Sequence, residues 1–181
     1  MSEFYEIEPS LENYWRAVIL FGRNGASYKF ALAKSLYDLK VEGNTLISLD
    51  QLADPFSQHI CEHLKLVDKQ ATSSSSRFLD FCRSYNAGEI NQQTLIAKTV
   101  QYGFANVIDA FHNVHGQELP KRFFMDARKT HGSIILTDEV FQLFEAQNAN
   151  DLVNETEARW RLVETAWDMN LPKHLVQIEH D

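Results

Sequence analysis

Apolar residues recur every three to four positions along most of this chain, the spacing of helices that bury one face. Leu11, Tyr14/Trp15, Val18 and Phe21 form the first such stripe, with Ser10 placed as its N-cap. Arg23-Asn24-Gly25 supplies a stop, because Asn and Gly tolerate the left-handed conformation that ends helices. A second helix is expected from about Ser27, with Tyr28, Leu32, Leu36 and Leu39 on one stripe, until Gly43-Asn44. The short turn between them predicts an antiparallel hairpin in which each helix buries the other's face. Ser48-Leu49-Asp50 opens a third helix that Asp54-Pro55 interrupts. Pro55 fits the first turn of the helix reaching Leu66, where its missing N–H is harmless.

Thr72 to Ser76 is a low-complexity patch and a supply of capping hydroxyls for a helix carrying Phe78, Phe81, Cys82 and Tyr85. Asn86-Ala87-Gly88 ends that helix, and Asn91 caps the next, whose apolar side is Leu95, Ile96, Thr99 and Val100. Gly103 separates it from Phe104-Val107-Ile108-Phe111. Segment 116–136 reads differently. Gly116, Pro120 and Gly132 punctuate it, and the runs Arg122-Phe123-Phe124-Met125 and Ser133-Ile134-Ile135-Leu136 predict two short strands. Thr137 or Asp138 then caps a helix through Phe141 and Phe144. Asn154 is taken as the start of the last long helix, with Glu155 and Glu157 in its dipole-favoured first turn. Trp160, Val163/Glu164 and Trp167 are its buried stripe. His174 to Ile178 alternates like a terminal strand. The expected fold is mainly α, a multi-helix bundle with a minor β element around 121–136 and 174–179. It forms one helical domain over 1–181, with a possible boundary to a further module near 172–181.

Size and composition narrow the class. A chain of 181 residues with 44% hydrophobic and 12% aromatic residues buries roughly 70% of its unfolded surface and needs no covalent staples. No run approaches the length of a membrane span, and the acidic opening lacks the basic region of a secretory signal. Cys61 and Cys82 are read as reduced, buried thiols, which with the missing signal makes the expected location cytoplasmic. Net charge is −8, which argues against nucleic acid until its distribution is considered. Residues 13–137 carry fourteen bases against eleven acids, while the two ends together contribute −11. A mildly basic body between acidic ends can still meet a phosphate backbone.

Several clusters could carry chemistry. His59 and His63 lie four apart on one helix face, a spacing that can hold a metal. The plainer reading is an exposed helix face with Cys61 turned inward. His112 and His115 could serve a nuclease, which needs a histidine base beside a metal. His112 instead reads as a helix-terminal residue meeting backbone carbonyls. Lys69, Thr72, Ser73, Ser74, Ser75, Ser76 and Arg77 combine hydroxyls, bases and a helix amino terminus, the groups that grip phosphate oxygens. The alternative there is an exposed loop with a serine cap. Lys121 and Arg122, with Arg128 and Lys129, interleave with Phe123 and Phe124 as in single-strand binding surfaces; the competing reading makes the two Phe core. Arg159 and Arg161 are expected to snorkel or to pair with Glu155, Glu157 or Glu164. Lys29 and Lys34 are five apart and share no face. No Ser-His-Asp or Cys-His grouping and no phosphate-binding glycine motif occurs in local sequence.

The wording of several stretches is distinctive: Glu12-Asn13-Tyr14-Trp15-Arg16 through Gly22, Ala26 through Leu36, Lys69-Gln70-Ala71-Thr72 through Phe78, Gly103-Phe104-Ala105-Asn106 through His112, and Ala158-Arg159-Trp160-Arg161 through Trp167. Together they resemble the amino-terminal helical region of a group of bacterial HNH endonucleases over nearly all of residues 4–178. The resemblance implies a metal-dependent DNA endonuclease, acting in defence against foreign DNA, whose catalytic histidines and divalent metal belong to a module beyond Asp181. No catalytic residue of that family has a counterpart here, and no cofactor is expected in this chain. The expectation is a non-catalytic domain that positions DNA or a partner for the nuclease module, or holds that module in check. The alternative is a stand-alone interaction protein that binds a protein partner through its acidic last helix. A second copy of the chain is a further candidate partner, a membrane is not, and a small metal enzyme using His59 and His63 is a third reading.

Overall fold

The computed structural model describes residues 4–22, 27–72 and 75–169. Within them the elements run α1 (Phe4–Ile7), α2 (Leu11–Phe21), α3 (Tyr28–Val41), β1 (Leu46–Ser48), α4 (Leu49–Leu66), α5 (Arg77–Asn86) and α6 (Gln92–Tyr102). They continue with α7 (Val107–Ala110), β2 (Asn113–Val114), β3 (Gln117–Glu118), β4 (Phe124–Ala127), α8 (Arg128–His131), β5 (Ser133–Leu136), α9 (Asp138–Glu145) and α10 (Ala149–Asp168). The fold is mainly α with a small antiparallel sheet. The stop at Asn24-Gly25 and the strand expected at 174–179 lie outside the described residues.

Polar residues start several helices where the sequence placed them. The hydroxyls of Ser10 and Ser76 and the amide oxygen of Asn91 each accept a backbone N–H three residues on. Ser48 goes further. Its hydroxyl accepts the Gln51 N–H at 3.1 Å while the Gln51 side chain accepts the Ser48 N–H at 2.8 Å, a reciprocal capping box. That box begins one continuous helix, α4, so Pro55 lies inside it rather than in its first turn. A proline there forfeits one helix hydrogen bond. Burial of Leu52, Ala53, Phe56, Ile60, Cys61 and Leu64 on one face outweighs that loss.

Helix α3 is the centre of the molecule. Phe30, Ala31, Leu32 and Ala33 are consecutive and all fully buried, a pattern of a helix enclosed on every side. Its main neighbours are α4, α10 and α9, whereas α2 packs on α10, α1, α9 and β2. The expected hairpin therefore does not hold in its packing: α2 and α3 follow one another but chiefly bury their faces elsewhere. What joins them is Lys29, whose buried ammonium donates to the carbonyls of Val18 at 3.0 Å and Gly22 at 2.9 Å. It closes the carboxyl end of α2. Gly22 leaves room for this, because a Cβ there would stand 2.8 Å from the Val18 oxygen and 3.1 Å from Lys29 Nζ.

The three-stranded sheet has the order β1-β5-β4, with Leu46 and Met125 both opposite Ile135. The strands at 124–127 and 133–136 match the expectation; β1 adds an edge the sequence did not announce, since only Ile47 of its three residues is buried. β2 and β3 form a two-residue hairpin around His115 (φ 53°) and Gly116 (φ 78°), a turn that needs two left-handed residues. Phe123 and Phe124 are fully buried, and the Trp15 ring meets Phe111, Phe123 and Phe144 edge-on.

The last helix begins at Ala149, five residues before the expected Asn154. Ala149 and Leu152 are buried, so tertiary packing carries the helix back through its polar start. Glu155 and Glu157 thus sit mid-helix and do not serve its dipole. Glu155 binds Arg16 at 2.9 Å and Glu157 binds Lys34 at 2.6 Å. Cys61 and Cys82 are free and buried.

Candidate functional site

The connection between α4 and α5, residues 67–76, carries Lys69, Thr72, Ser75 and Ser76 of the polar side chains singled out in the sequence. A cavity of about 370 Å³ opens there, lined by Asp68, Lys69, Thr72, Ser76 and Arg83 among others. Lys69, Ser75 and Arg77 are exposed. Ser76 caps α5 and its hydroxyl also lies 2.9 Å from the Tyr28 hydroxyl. The Arg77 guanidinium stacks 4.8 Å over the Tyr102 ring. Ser73 and Ser74 lie outside the described residues. Arg83 went unremarked in the sequence, although it stands seven residues after Ser76 and so two turns further along the same side of α5. Its guanidinium is held by Asp68 at 2.8 Å and Asp80 at 2.9 Å. Burial works against its charge, but these two carboxylates keep it fully protonated.

What fixes this loop is a polar network beneath it. The Gln70 side chain is wholly buried. Its amide N–H donates to the Val67 carbonyl at 2.9 Å and to Glu164 at 2.5 Å, and its carbonyl accepts the Trp160 indole N–H at 2.9 Å. Glu164 also accepts from His63 Nδ1 at 2.8 Å, while His63 Nε2 meets Glu157 at 2.9 Å. The His63 ring lies flat on Trp160, 3.4 Å between centroids and 1° from parallel. Both ring nitrogens face carboxylates, which favours the charged imidazole. Burial alone would discharge it; the hydrogen bonds to Glu157 and Glu164 prevail and raise its pKa. The His63 hydrogen bond and the Lys34 ammonium hold Glu157 down at about 2. Arg161 completes the group, donating to Glu157 at 3.0 Å.

This corrects the reading of His59 and His63 as an exposed face. His63 is buried and engaged at both nitrogens, and His59 pairs with Asp38 at 2.6 Å. Both partners come from distant segments that local sequence could not reveal. Among the described residues no cluster of three or more His, Cys, Asp or Glu is placed to hold a metal ion.

The second basic cluster is dispersed. Lys121 is exposed, but Arg122 binds Glu118, donates to the Phe124 carbonyl at 3.1 Å and lies 5.9 Å from the Phe124 ring. Arg128 is taken by Asp126 and Asp109. Phe123 and Phe124 are core, so no aromatic platform accompanies these bases. Neither Lys121 nor Arg122 lines the cavity of Lys69. His112 is also buried; its Nε2 accepts the Phe123 N–H at 2.9 Å rather than meeting carbonyls. Burial among rings, and then the nearby Arg122 charge, depress it to about 3.

A second cavity, about 550 Å³ and mostly apolar, runs between α2 and α10, bounded by Trp15, Ile19, Leu20, Leu152, Ala158 and Leu162. Leu162 is half exposed on its rim. No helix among the described residues is long and apolar enough to cross a membrane. In comparisons with family models, curated proteins and solved structures, nothing matches this chain.

Proposed function

We propose that this chain is a non-catalytic helical domain that positions DNA for a nuclease module, with the phosphate backbone lying along the α4–α5 connection. One observation carries the reading. Lys69, Thr72, Ser76 and Arg83 converge on one open polar cavity beside the amino terminus of an amphipathic helix. Hydroxyls, cations and helix-end amides are the phosphate-binding chemistry, and Arg77 extends it along the surface. The nailed-down Gln70 favours the same role, since it holds these groups on a fixed base. The resemblance to the amino-terminal region of HNH endonucleases agrees with it. Asp68 and Asp80 reduce the local charge, so binding is weak and falls steeply with salt as counterions return to the DNA.

The test is binding of the chain to labelled duplex and single-stranded DNA at two salt concentrations. Lys69→Glu with Arg77→Glu is expected to lower affinity at least about tenfold, with no change in thermal melting. Absence of binding at low salt sinks the DNA reading. The second reading, a stand-alone interaction protein, would then gain weight, because the apolar groove along α10 with Leu162 on its rim is a surface that suits a protein partner.

A further inference from the structure

We infer that Cys61 and Cys82 are a thiol pair that peroxide closes to a disulfide, stapling α4 to α5. This inference does not rest on the proposed DNA contact. Both side chains are buried, at 1% and 0% exposure, and neither is bonded in the reduced protein. Cys61 lies on α4 and Cys82 on its neighbour α5. The Cys61 thiol donates to the Cys82 carbonyl at 3.8 Å, which sets its sulfur against the Cys82 backbone. The Asn86 amide donates to the Cys61 carbonyl at 2.9 Å, so the backbones of the two helices are already tied at this level. A disulfide needs the sulfurs to close to about 2.05 Å with the two Cβ atoms near one another. A Cys61 sulfur already lying against the Cys82 backbone starts near that arrangement.

The pair is also asymmetric, which assigns the roles. A thiolate on Cys61 is favoured first by the Cys82 thiol that can donate to it; burial opposes this, and Lys65 on the next turn assists. The same contact, together with burial, pushes the Cys82 thiol far up. Cys61 is therefore the attacking sulfur. Its thiolate attacks one peroxide oxygen and the O–O bond breaks. Cys61 becomes a sulfenic acid, and the departing hydroxide takes up the proton Cys61 released, giving water. Cys82 then loses its proton and attacks the sulfenic sulfur, the S–O bond breaks, and that hydroxyl leaves with the proton as a second water. Two thiols lose two electrons and one peroxide gains them. The bridge encloses the whole 67–76 connection. Peroxide is small enough to enter when α4 and α5 part locally.

The experiment treats the folded 181-residue chain with hydrogen peroxide and reads intact mass without reductant. The expected product is about 2 Da lighter, yields one cross-linked peptide holding Cys61 and Cys82, and returns to the starting mass with dithiothreitol. In Cys82→Ala, Cys61 is expected to stop at the sulfenic acid and take up dimedone. In Cys61→Ala, Cys82 is expected to react at least about tenfold more slowly. The inference is overturned if the wild-type dithiol survives peroxide that oxidises both cysteines in urea. Oxygen added to the cysteines without a cross-link overturns it equally. The wild-type mass decides the matter even if either variant folds poorly.

Discussion

Two buried histidines of this protein are shifted in opposite directions, and their surroundings explain why. His112 sits among Phe111, Phe123 and Phe124 with one nitrogen accepting a backbone N–H. Nothing there stabilises a cation, so it stays neutral. His63 is buried too, yet carboxylates meet both its nitrogens and favour its charged form. Depth does not set the charge; the partners do. One region is wired by long-range polar bonds and underlies the exposed α4–α5 loop. The other is held by ring packing and underlies the small sheet.

The strongest way to break the contrast is Glu164→Ala. It strips the acceptor from both His63 and Gln70 in a buried site, and an expected loss of about 3–5 kcal/mol would appear in urea unfolding. A loss below about 1 kcal/mol would mean the network contributes as little as a surface pair.

Stability against pH separates the two histidines by sign. His112 is depressed to about 3 from an ordinary 6.5. It therefore contributes stability above pH 6.5 that is lost as pH falls, roughly 2 kcal/mol by pH 5. His112→Gln, which keeps an acceptor for the Phe123 N–H, is expected to flatten this limb. Glu157 and Asp126, both held near 2, add their loss below about pH 4.5, so the window from 6.5 to 4.5 reports His112. His63 is raised, so its contribution is whole below its unfolded pKa and fades as pH climbs through the folded one. A pH titration of the two imidazoles by NMR that found them alike would end the comparison.

The smallest effect sharpens it at the loop. Ser76→Ala removes the cap of α5 and the contact with Tyr28. The expected cost is about 1 kcal/mol, with faster amide exchange at the start of α5. The His112 region should not respond.

Local chemistry was legible in the sequence wherever it stayed local. Ser10, Ser48, Ser76 and Asn91 begin helices because their side chains reach an amide three residues away, and the strands at 124 and 133 follow from short apolar runs. The misreadings share one cause. His63 finds Glu164 and Glu157 more than ninety residues along the chain; Ala149 and Leu152 draw α10 past Asn154 by packing; Pro55 is tolerated because a face of α4 is buried. The candidate loop was half visible: Lys69, Ser76 and Arg77 stood out by type, but Gln70, the residue that holds them, is chemically unremarkable until Trp160 and Glu164 are placed beside it.

Lys29 and Gly22 carry a consequence for descent. The ammonium that closes α2 occupies space a side chain at position 22 would need. The glycine is the stricter of the two, because a Cβ there would stand 2.8 Å from the Val18 carbonyl oxygen whether or not the lysine is present. A lineage that keeps the lysine must keep the glycine, while one that loses the lysine still meets that carbonyl at position 22. Across diverged descendants the glycine should therefore outlast the lysine.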